Sequence, residues 1–311
     1  MLTGPAGEPV DFRRTLASHG IAHLPPARAD EEAGVYETTV PLPRGKPRTV
    51  RIAEGRSGVA VVDAPGRPTQ ALLPVVRRLL NLDEDLSGFY EVAAADPALA
   101  WATHGAGRMI RSPTVYEDVV KTICTTNCAW SGTVRMVTAL VEHLGEPAAH
   151  GSGRAFPTAA AMASAPESFY RDAARAGYRG AYLRTLAADV AGGGLDLEAL
   201  LDPELPDDEA ESRLLALPGV GPYAAAHMLM LLGRHSRLIL DSWTRPTYAR
   251  LNGGRPVADK RIVRRFRRYG RYAGLAFWLF LTHDWVPGPA AGGLLDAPEP
   301  DMEVGVSRAA P

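Results

Sequence analysis

The segment from Leu217 to Gly221 combines residue types that could hold an anion. Its sequence is Leu-Pro-Gly-Val-Gly, with one predicted helix ending near Ala216 and another beginning at Pro222. Gly219 and Gly221 permit positive φ and let a foreign backbone approach closely. The first amides of the second helix lack intrahelical acceptors and lie at the positive end of its dipole. The segment therefore predicts a phosphate-binding hairpin, although a helix end followed by a turn into a core helix explains the same residues.

Asp241 is the candidate catalytic residue. It follows the apolar run Leu238 to Leu240 and precedes a predicted helix. A carboxylate in such a place can stabilise positive charge that develops on a carbon and can orient an attacking water. It can equally serve as the N-cap of the helix, and the two roles are compatible.

The positive charge of this chain is concentrated between Lys260 and Arg271. Seven basic residues and almost no acid occupy this stretch, whereas the whole chain has a formal net charge of −1. A basic face suits phosphate, and a solvated helix face is the alternative. Arg245 and Arg250 are further candidates, either for phosphate contact or for structural ion pairs. The predicted phosphate contacts are Gly219, Val220, Gly221, Tyr223, Arg245, Arg264 and Arg268.

The elements around these residues predict a mainly α protein with an N-terminal antiparallel β-rich domain. Residues 1–100 contain three apolar or alternating segments bounded by glycine and proline, which predict at least three strands, with a short helix before them and a helix at 69–80 after them. From Ser112 onward the pattern is helical, and Thr114 with Glu117 forms a capping-box pair. The predicted helices cover 115–126, 130–144, 167–176, 180–191, 207–216, 222–232, 242–251, 257–269 and 272–284. We therefore expect domains at 1–100 and 101–287, and a disordered tail at 288–311.

Composition places the chain among soluble globular proteins. Apolar residues make up 46% of the 311 positions and charged residues 22%. The sequence contains two cysteines, Cys124 and Cys128, so an iron–sulfur cluster with four thiolates is excluded. We expect both thiols to be buried and reduced. No apolar run reaches membrane-spanning length. We expect a cytoplasmic protein, associated with the nucleoid if it is bacterial.

Two of these segments resemble a known family. Leu-Pro-Gly-Val-Gly-Pro-Tyr-Ala-Ala-Ala-His from Leu217, followed by Leu-Ile-Leu-Asp-Ser-Trp from Leu238, resembles the helix–hairpin–helix (HhH-GPD) DNA glycosylases. The helix pair from Tyr116 looks like the one that precedes the hairpin in the 8-oxoguanine and 3-methyladenine glycosylase branches. The resemblance covers residues 85–287. It implies a base-excision repair enzyme with two helical subdomains that acts on double-stranded DNA.

The resemblance implies a role for Asp241 and raises a question about Tyr223. Asp241 matches the family's catalytic aspartate, which assists hydrolysis of the N-glycosidic bond. Some members carry a lysine two residues after the second glycine, and its amine forms a Schiff base that leads to strand cleavage. This chain has Tyr223 there, which implies a monofunctional enzyme without lyase activity. Lys121, in the middle of a predicted helix, is interpreted as a solvated side chain and not as a nucleophile.

The resemblance also implies residues that fill the gap and hold the base after the nucleotide is flipped out. Asn127 matches the asparagine inserted beside the orphaned base, and a helix C-cap is the alternative. An aromatic near Phe277 replaces a glutamine of the 8-oxoguanine group, which would suit stacking on an electron-poor, alkylated base. We expect at least half of the aromatic candidates to be core residues. The predicted gap and pocket residues are Asn127, Trp130, Tyr223, His227, Phe277 and Phe280.

The predicted substrate is an alkylated or oxidised purine. No cofactor is expected, apart from a Na⁺ or K⁺ ion held by the carbonyls of Leu215, Leu217 and Val220, as the resemblance implies. We expect the chain to act as a monomer and not to bind a membrane. Two alternatives stay open, a catalytically inactive DNA-damage-binding module of the same fold and an unrelated helical protein with a structural turn.

Overall fold

The computed structural model describes residues 1–56, 58–66 and 70–286 of the chain. The tail predicted at 288–311 lies outside these residues. Within them, every helix is too short or too polar to cross a lipid bilayer.

The N-terminal part is built on a four-stranded antiparallel sheet with the strand order β1-β2-β3-β4. A short helix precedes it. These elements are α1 (Phe12–Leu16), β1 (Arg28–Asp30), β2 (Val35–Val40), β3 (Arg48–Glu54) and β4 (Ala60–Asp63). Tyr36 pairs with Ile52 across β2 and β3, so their side chains lie on the same face of the sheet, and both are buried. The three predicted strands are confirmed, and β1 is an additional edge strand.

The rest of the described chain is helical. Its α-helices are α2 (Leu72–Leu79), α3 (Ser87–Ala94), α4 (Val115–Thr125), α5 (Trp130–Leu144), α6 (Ala159–Ser164), α7 (Arg179–Ala191), α8 (Asp207–Leu215), α9 (Pro222–Leu231), α10 (Thr244–Leu251), α11 (Asp259–Phe266) and α12 (Ala273–Thr282). A helical core with an N-terminal β domain is therefore confirmed, whereas the domain boundaries stay predictions.

Local sequence explains where α4 begins. Thr114 Oγ1 accepts the Glu117 amide at 3.2 Å, so the predicted N-cap is confirmed. The Glu117 carboxylate pairs instead with Lys121 at 2.7 Å, and both side chains are 3% exposed. The interpretation of Lys121 as a solvated side chain was wrong, because the side chain bends back one turn to a buried carboxylate.

Two other predicted helices differ from the structure. The stretch at 167–176 forms a single π-helical turn, Phe169–Ala173. The helix predicted at 257–269 ends at Phe266 and continues as a 3-10 turn to Tyr272, with Gly270 at a φ of +55°. The basic stretch is therefore divided between α11 and the 3-10 turn that follows it.

Two apolar cores are joined by buried polar contacts. One contains the sheet with α1 and α2, and the other contains most of the residues from α3 to α12. The Arg108 guanidinium, which is fully buried, pairs with Glu8 at 2.6 Å and donates to the carbonyl of Glu84 at 2.7 Å. On α1, Arg14 donates to the carbonyls of His283 at 3.1 Å and Val286 at 2.8 Å. The N-terminal segment is thereby fixed against the end of the helical core.

Candidate functional site

The hairpin between α8 and α9 contains one glycine that is conformationally required. Gly219 has a φ of +81°, and a Cβ built there would lie 2.8 Å from Cδ2 of Tyr182. Gly221 is extended, with a φ of −104°, and a Cβ there would meet open space. The positive φ that we attributed to both glycines is therefore needed at Gly219 alone.

The second helix of the hairpin presents its amino terminus to the surface. Pro222 occupies the first turn of α9, and Gly221 precedes it without a side chain to cap the helix. The first-turn amides of Tyr223 and Ala224 have no acceptor within the helix. Such a terminus attracts an anion through these amides and through the helix dipole.

Asp241 caps α10 with one of its carboxylate oxygens. Oδ1 accepts the amides of Trp243 at 2.8 Å and Thr244 at 2.6 Å, and the Thr244 hydroxyl accepts the Asp241 amide at 2.8 Å. Among the described residues, Oδ2 has no hydrogen-bond partner. The side chain is thus fixed in orientation through Oδ1, and Oδ2 is left to act on a ligand, so the two interpretations of Asp241 are compatible.

The hairpin and Asp241 line one cleft of about 650 Å³. The end of α4 and the start of α7 form its opposite wall. Its lining residues are Thr125, Thr126, Asn127, Cys128, Tyr178, Tyr182, Gly219, Val220, Gly221, Pro222, Tyr223, Ala224, Leu240, Asp241, Ser242 and Arg245. A helix amino terminus that suits an anion and a half-buried carboxylate therefore face the same space.

Tyr223 lies in this cleft beside Asp241. Its hydroxyl is 3.3 Å from Oγ1 of Thr125. Burial raises the pKa of Tyr223; the Thr125 hydrogen bond opposes this shift, and the Asp241 charge adds to it. The phenol therefore stays protonated at neutral pH and supplies no amine for a Schiff base.

The turn after α4 holds Asn127 in a conformation unusual for a residue with a side chain. Asn127 is exposed and has a φ of +44°, as at a helix C-cap. The Arg179 guanidinium stabilises this turn by donating to the carbonyls of Thr126 and, at 2.9 Å, Asn127. The Asn127 side-chain amide lies 3.5 Å from the Tyr178 hydroxyl. Asn127 thus lies in the turn just after α4 and lines the cleft, where insertion into DNA stays a prediction.

Two exposed tyrosines of the cleft were not predicted as site residues from the sequence. Tyr178 is 54% exposed and Tyr182 is 38% exposed, and their rings meet edge to face at 5.8 Å. Arg179 stacks on Tyr178 with 4.6 Å between the guanidinium carbon and the ring centre. The i, i+4 spacing that places both rings on one helix face was the available signal.

His227 lies behind the cleft wall rather than in the cleft. Its ring is 6.2 Å from the Tyr223 ring and 5.4 Å from the His19 ring, measured between centroids. Trp130 packs over Gly20, where an added Cβ would lie 3.3 Å from the indole. His227 and Trp130 thus contact the N-terminal segment, and neither lines the cleft.

Phe277 and Phe280 do not lie in the cleft. Phe277 is fully buried against Phe266, with 5.1 Å between ring centroids. Phe280 packs on the same ring at 5.7 Å and is covered by the Arg265 guanidinium at 4.9 Å. The pocket role that we expected for both was wrong in this arrangement, because their side of α12 faces the core between α10 and α11.

The predicted basic contacts are separated. Arg245 lines the cleft and forms a bidentate pair with Asp259, at 2.9 and 3.0 Å. Arg264 lies in a separate surface depression. Arg268 pairs with Asp96 and stacks on Tyr269. Phosphate contact by these three stays a prediction.

The predicted ion site is also untested. The Leu217 carbonyl accepts the Val220 amide at 3.2 Å. Within the described part of the chain, no three His, Cys, Asp or Glu side chains are grouped to hold a metal ion, but this does not bear on a site made of carbonyls.

The two cysteines differ in burial. Burial raises the pKa of the Cys124 thiol to about 12, and Cys128 is half-buried.

Comparison with solved structures gives clear matches. The 3-methyladenine DNA glycosylase from Archaeoglobus fulgidus matches with a TM-score of 0.69 and 21% identity, over 89% of this chain and 96% of that one. The apo 8-oxoguanine glycosylase/lyase of Clostridium acetobutylicum matches with a TM-score of 0.68 and 21% identity, over 88% and 92%. The chain has the fold of these glycosylases. The Clostridium enzyme bound to double-stranded DNA with cytosine opposite 8-oxoguanine also matches, with a TM-score of 0.67 and 21% identity, over 88% and 91%. No protein-family model matches the sequence, and no curated protein gives a significant match.

Proposed function

We propose that this protein is a DNA glycosylase of base-excision repair, which hydrolyses the N-glycosidic bond of a flipped, damaged purine. The observation that carries the proposal is the cleft in which Oδ2 of Asp241 and the amino terminus of α9 face the same space. The glycosylase fold of the chain supports it, since similar structures act on 3-methyladenine or 8-oxoguanine.

The geometry suits an attack by water. As the C–N bond breaks, positive charge develops at C1′ and the unbonded Oδ2 of Asp241 stabilises it. Oδ1 cannot rotate away, because two backbone amides hold it. Oδ2 also accepts a proton as the water attacks, which follows the logic of glycoside hydrolysis.

The phosphate beside the flipped nucleotide would bind the hairpin. The amides at the start of α9 supply donors, and Gly219 gives the backbone close access. Asn127 would fill the gap in the duplex, from a turn that Arg179 already holds in place. Because Tyr223 replaces an amine, we infer that the enzyme is monofunctional.

A panel of duplexes, each with one damaged purine, tests this proposal. We expect wild type to release a base and to leave an abasic site that breaks only in hot alkali. Asp241→Asn keeps the cap but loses the charge, so the single-turnover rate should fall by about a hundredfold or more. Asp196→Asn is the matched control, because Asp196 Oδ1 accepts the Glu198 amide in a similar turn outside the cleft.

The other outcomes refute specific parts of the proposal. Breaks that appear without alkali would refute the monofunctional assignment. Tight binding to damaged duplexes without release of any base would favour a damage-binding module. An unchanged rate in Asp241→Asn would remove Asp241 from the chemistry.

A further inference from the structure

The Tyr223 hydroxyl and the Asp241 carboxylate border the same space. Both side chains line the cleft of about 650 Å³, which is far larger than the ~30 Å³ that one water occupies. Burial raises the pKa of Tyr223 and the Asp241 charge adds to that shift, so the carboxylate lies within electrostatic reach of the phenol. A small polar molecule in this part of the cleft can therefore contact oxygens of both side chains.

The Tyr223 hydroxyl is the donor in its contact with Thr125. The Thr125 hydroxyl donates its hydrogen to the carbonyl of Thr122 at 2.7 Å, one turn back along α4. Because a hydroxyl carries one hydrogen, the 3.3 Å contact between Thr125 Oγ1 and the Tyr223 hydroxyl requires the hydrogen of Tyr223. Among the described residues no donor reaches the Tyr223 oxygen. The phenol therefore offers the cleft an acceptor and not a donor.

The free atoms of Tyr223 and Asp241 are both acceptors. The amides of Trp243 and Thr244 occupy Oδ1 of Asp241 and leave Oδ2 unbonded. The carboxylate charge repels an anion from this place. A water has two hydrogens, so it can donate one to Oδ2 and the other to the phenol oxygen. A water held in this way keeps its lone pairs free to form a new bond.

We propose that Tyr223 positions the attacking water together with Oδ2 of Asp241. This inference rests on the proposed glycosylase function and adds a residue to its chemistry. The C1′–N bond breaks with its electron pair going to the base, and a lone pair of the water forms the new bond to C1′. One water proton goes to Oδ2 of Asp241 and balances the proton that the departing base takes up. The other hydrogen stays on the new C1′ hydroxyl, in its hydrogen bond to Tyr223.

A competing nucleophile with a single hydrogen tests this inference. Methanol can donate to Asp241 but has no second hydrogen for Tyr223, so attack by water alone depends on the phenol. The full chain is incubated with a damaged duplex in buffer that contains methanol. Release of the base then leaves either an abasic site, which hot alkali cleaves, or a methyl glycoside, which survives.

The ratio of methyl glycoside to abasic site is the readout, because it is independent of the amount of folded enzyme. We expect Tyr223→Phe to raise this ratio by about fivefold or more, the factor that corresponds to one lost hydrogen bond. The Kd of a duplex with a tetrahydrofuran abasic site should not change, since no water attacks there.

The hydrogen bond that directs the phenol supplies a second variant. Thr125→Val removes the acceptor and frees the Tyr223 hydrogen to turn toward the cleft, so the ratio should rise here also. Thr125→Ser keeps the acceptor and should retain the wild-type ratio. Tyr90→Phe is the matched control, because the Tyr90 hydroxyl donates to the Ala106 carbonyl at 3.0 Å outside the cleft. Its ratio should equal that of wild type.

Three results would overturn the inference and leave the glycosylase function in place. They are an unchanged ratio in Tyr223→Phe, an equal rise in Tyr90→Phe, and a loss of abasic binding in Tyr223→Phe as large as its loss of rate. The last result would assign the phenol to DNA binding. If wild type releases no base from any duplex, the proposed function itself fails.

Discussion

We predict that two buried histidines in ring contact, His19 and His227, make the stability of this protein fall in weak acid. Burial lowers the pKa of His227 to about 3, and the neighbouring His19 adds to this shift. Burial lowers the pKa of His19 to about 4 from the ordinary value of 6.5. The unfolded chain therefore binds more protons than the folded chain between pH 6.5 and about 4, so the free energy of unfolding declines as the pH falls through this range. Above about pH 8 both states are neutral at these residues, and no dependence is expected from them.

The expected size follows from the proton uptake. An unfolded histidine binds about 0.2 of a proton at pH 7 and about 0.9 at pH 5.5, whereas the buried rings bind almost none at either pH. Integration gives a loss of about 1.2 kcal/mol for each ring, or about 2.5 kcal/mol for the pair, between these pH values.

Urea unfolding at pH 7.0 and 5.5 measures this loss. The wild type is compared with a His19→Leu/His227→Leu variant, and only the pH-dependent part is used. Burial raises the pKa values of Glu117 and Asp118, which changes stability in the opposite direction, but these groups are common to both proteins and cancel. If the two proteins lose equal stability between pH 7.0 and 5.5, the rings are not neutral and buried as described, and the reasoning fails.

Two further predictions concern the cleft. Tyr223→Lys places an amine beside Asp241, and we expect this variant to form an imine with damaged DNA that borohydride traps as a covalent adduct. Tyr223→Arg carries the same charge without a nucleophilic amine and should give no adduct. An adduct with both variants would contradict the role of the amine. Gly219→Ala should weaken the binding of abasic duplex by about tenfold or more, because the backbone at Gly219 has a positive φ and the added methyl group would meet Tyr182. Gly221→Ala lies in open, extended backbone and should change this affinity little. Equal effects of the two substitutions would refute the requirement for a left-handed residue at Gly219.

Local signals predicted most of the helical core. The N-cap Thr114 before α4 and Pro222 in the first turn of α9 are signals that act over three or four residues, so the sequence shows both helix starts directly. By contrast, α3 was missed although its local signals are present. Asp85 Oδ1 accepts the Ser87 amide at 2.8 Å, and the buried residues Leu86, Phe89, Tyr90 and Ala93 repeat at helical spacing. The break at Gly270 agrees with the gap between the helices predicted at 257–269 and 272–284, but the earlier end of α11 at Phe266 was missed.

Residues of the site were predicted where one segment held the information. The hairpin and Asp241 lie close together in the sequence, and the structure places them in one cleft. His19 was missed because it reaches His227 from a segment about 200 residues away, and no periodicity encodes that contact. Phe277 was misplaced because helical spacing gives a face of α12 but not the element that covers it.

For the function that we propose, the Arg179 contacts have a thermodynamic consequence for the encounter with DNA. A left-handed residue such as Asn127 is normally one of many conformers of a loop, and ordering it on binding would reduce affinity through lost conformational entropy. Two hydrogen bonds from the buried Arg179 guanidinium hold the carbonyls of Thr126 and Asn127, on either side of the Asn127 Cα, before any ligand arrives. The entropy loss therefore belongs to folding and not to association. A glycosylase of the proposed kind, which tests many undamaged sites, can then present the same preorganised tip to each of them, and differences in binding between sites reflect the DNA.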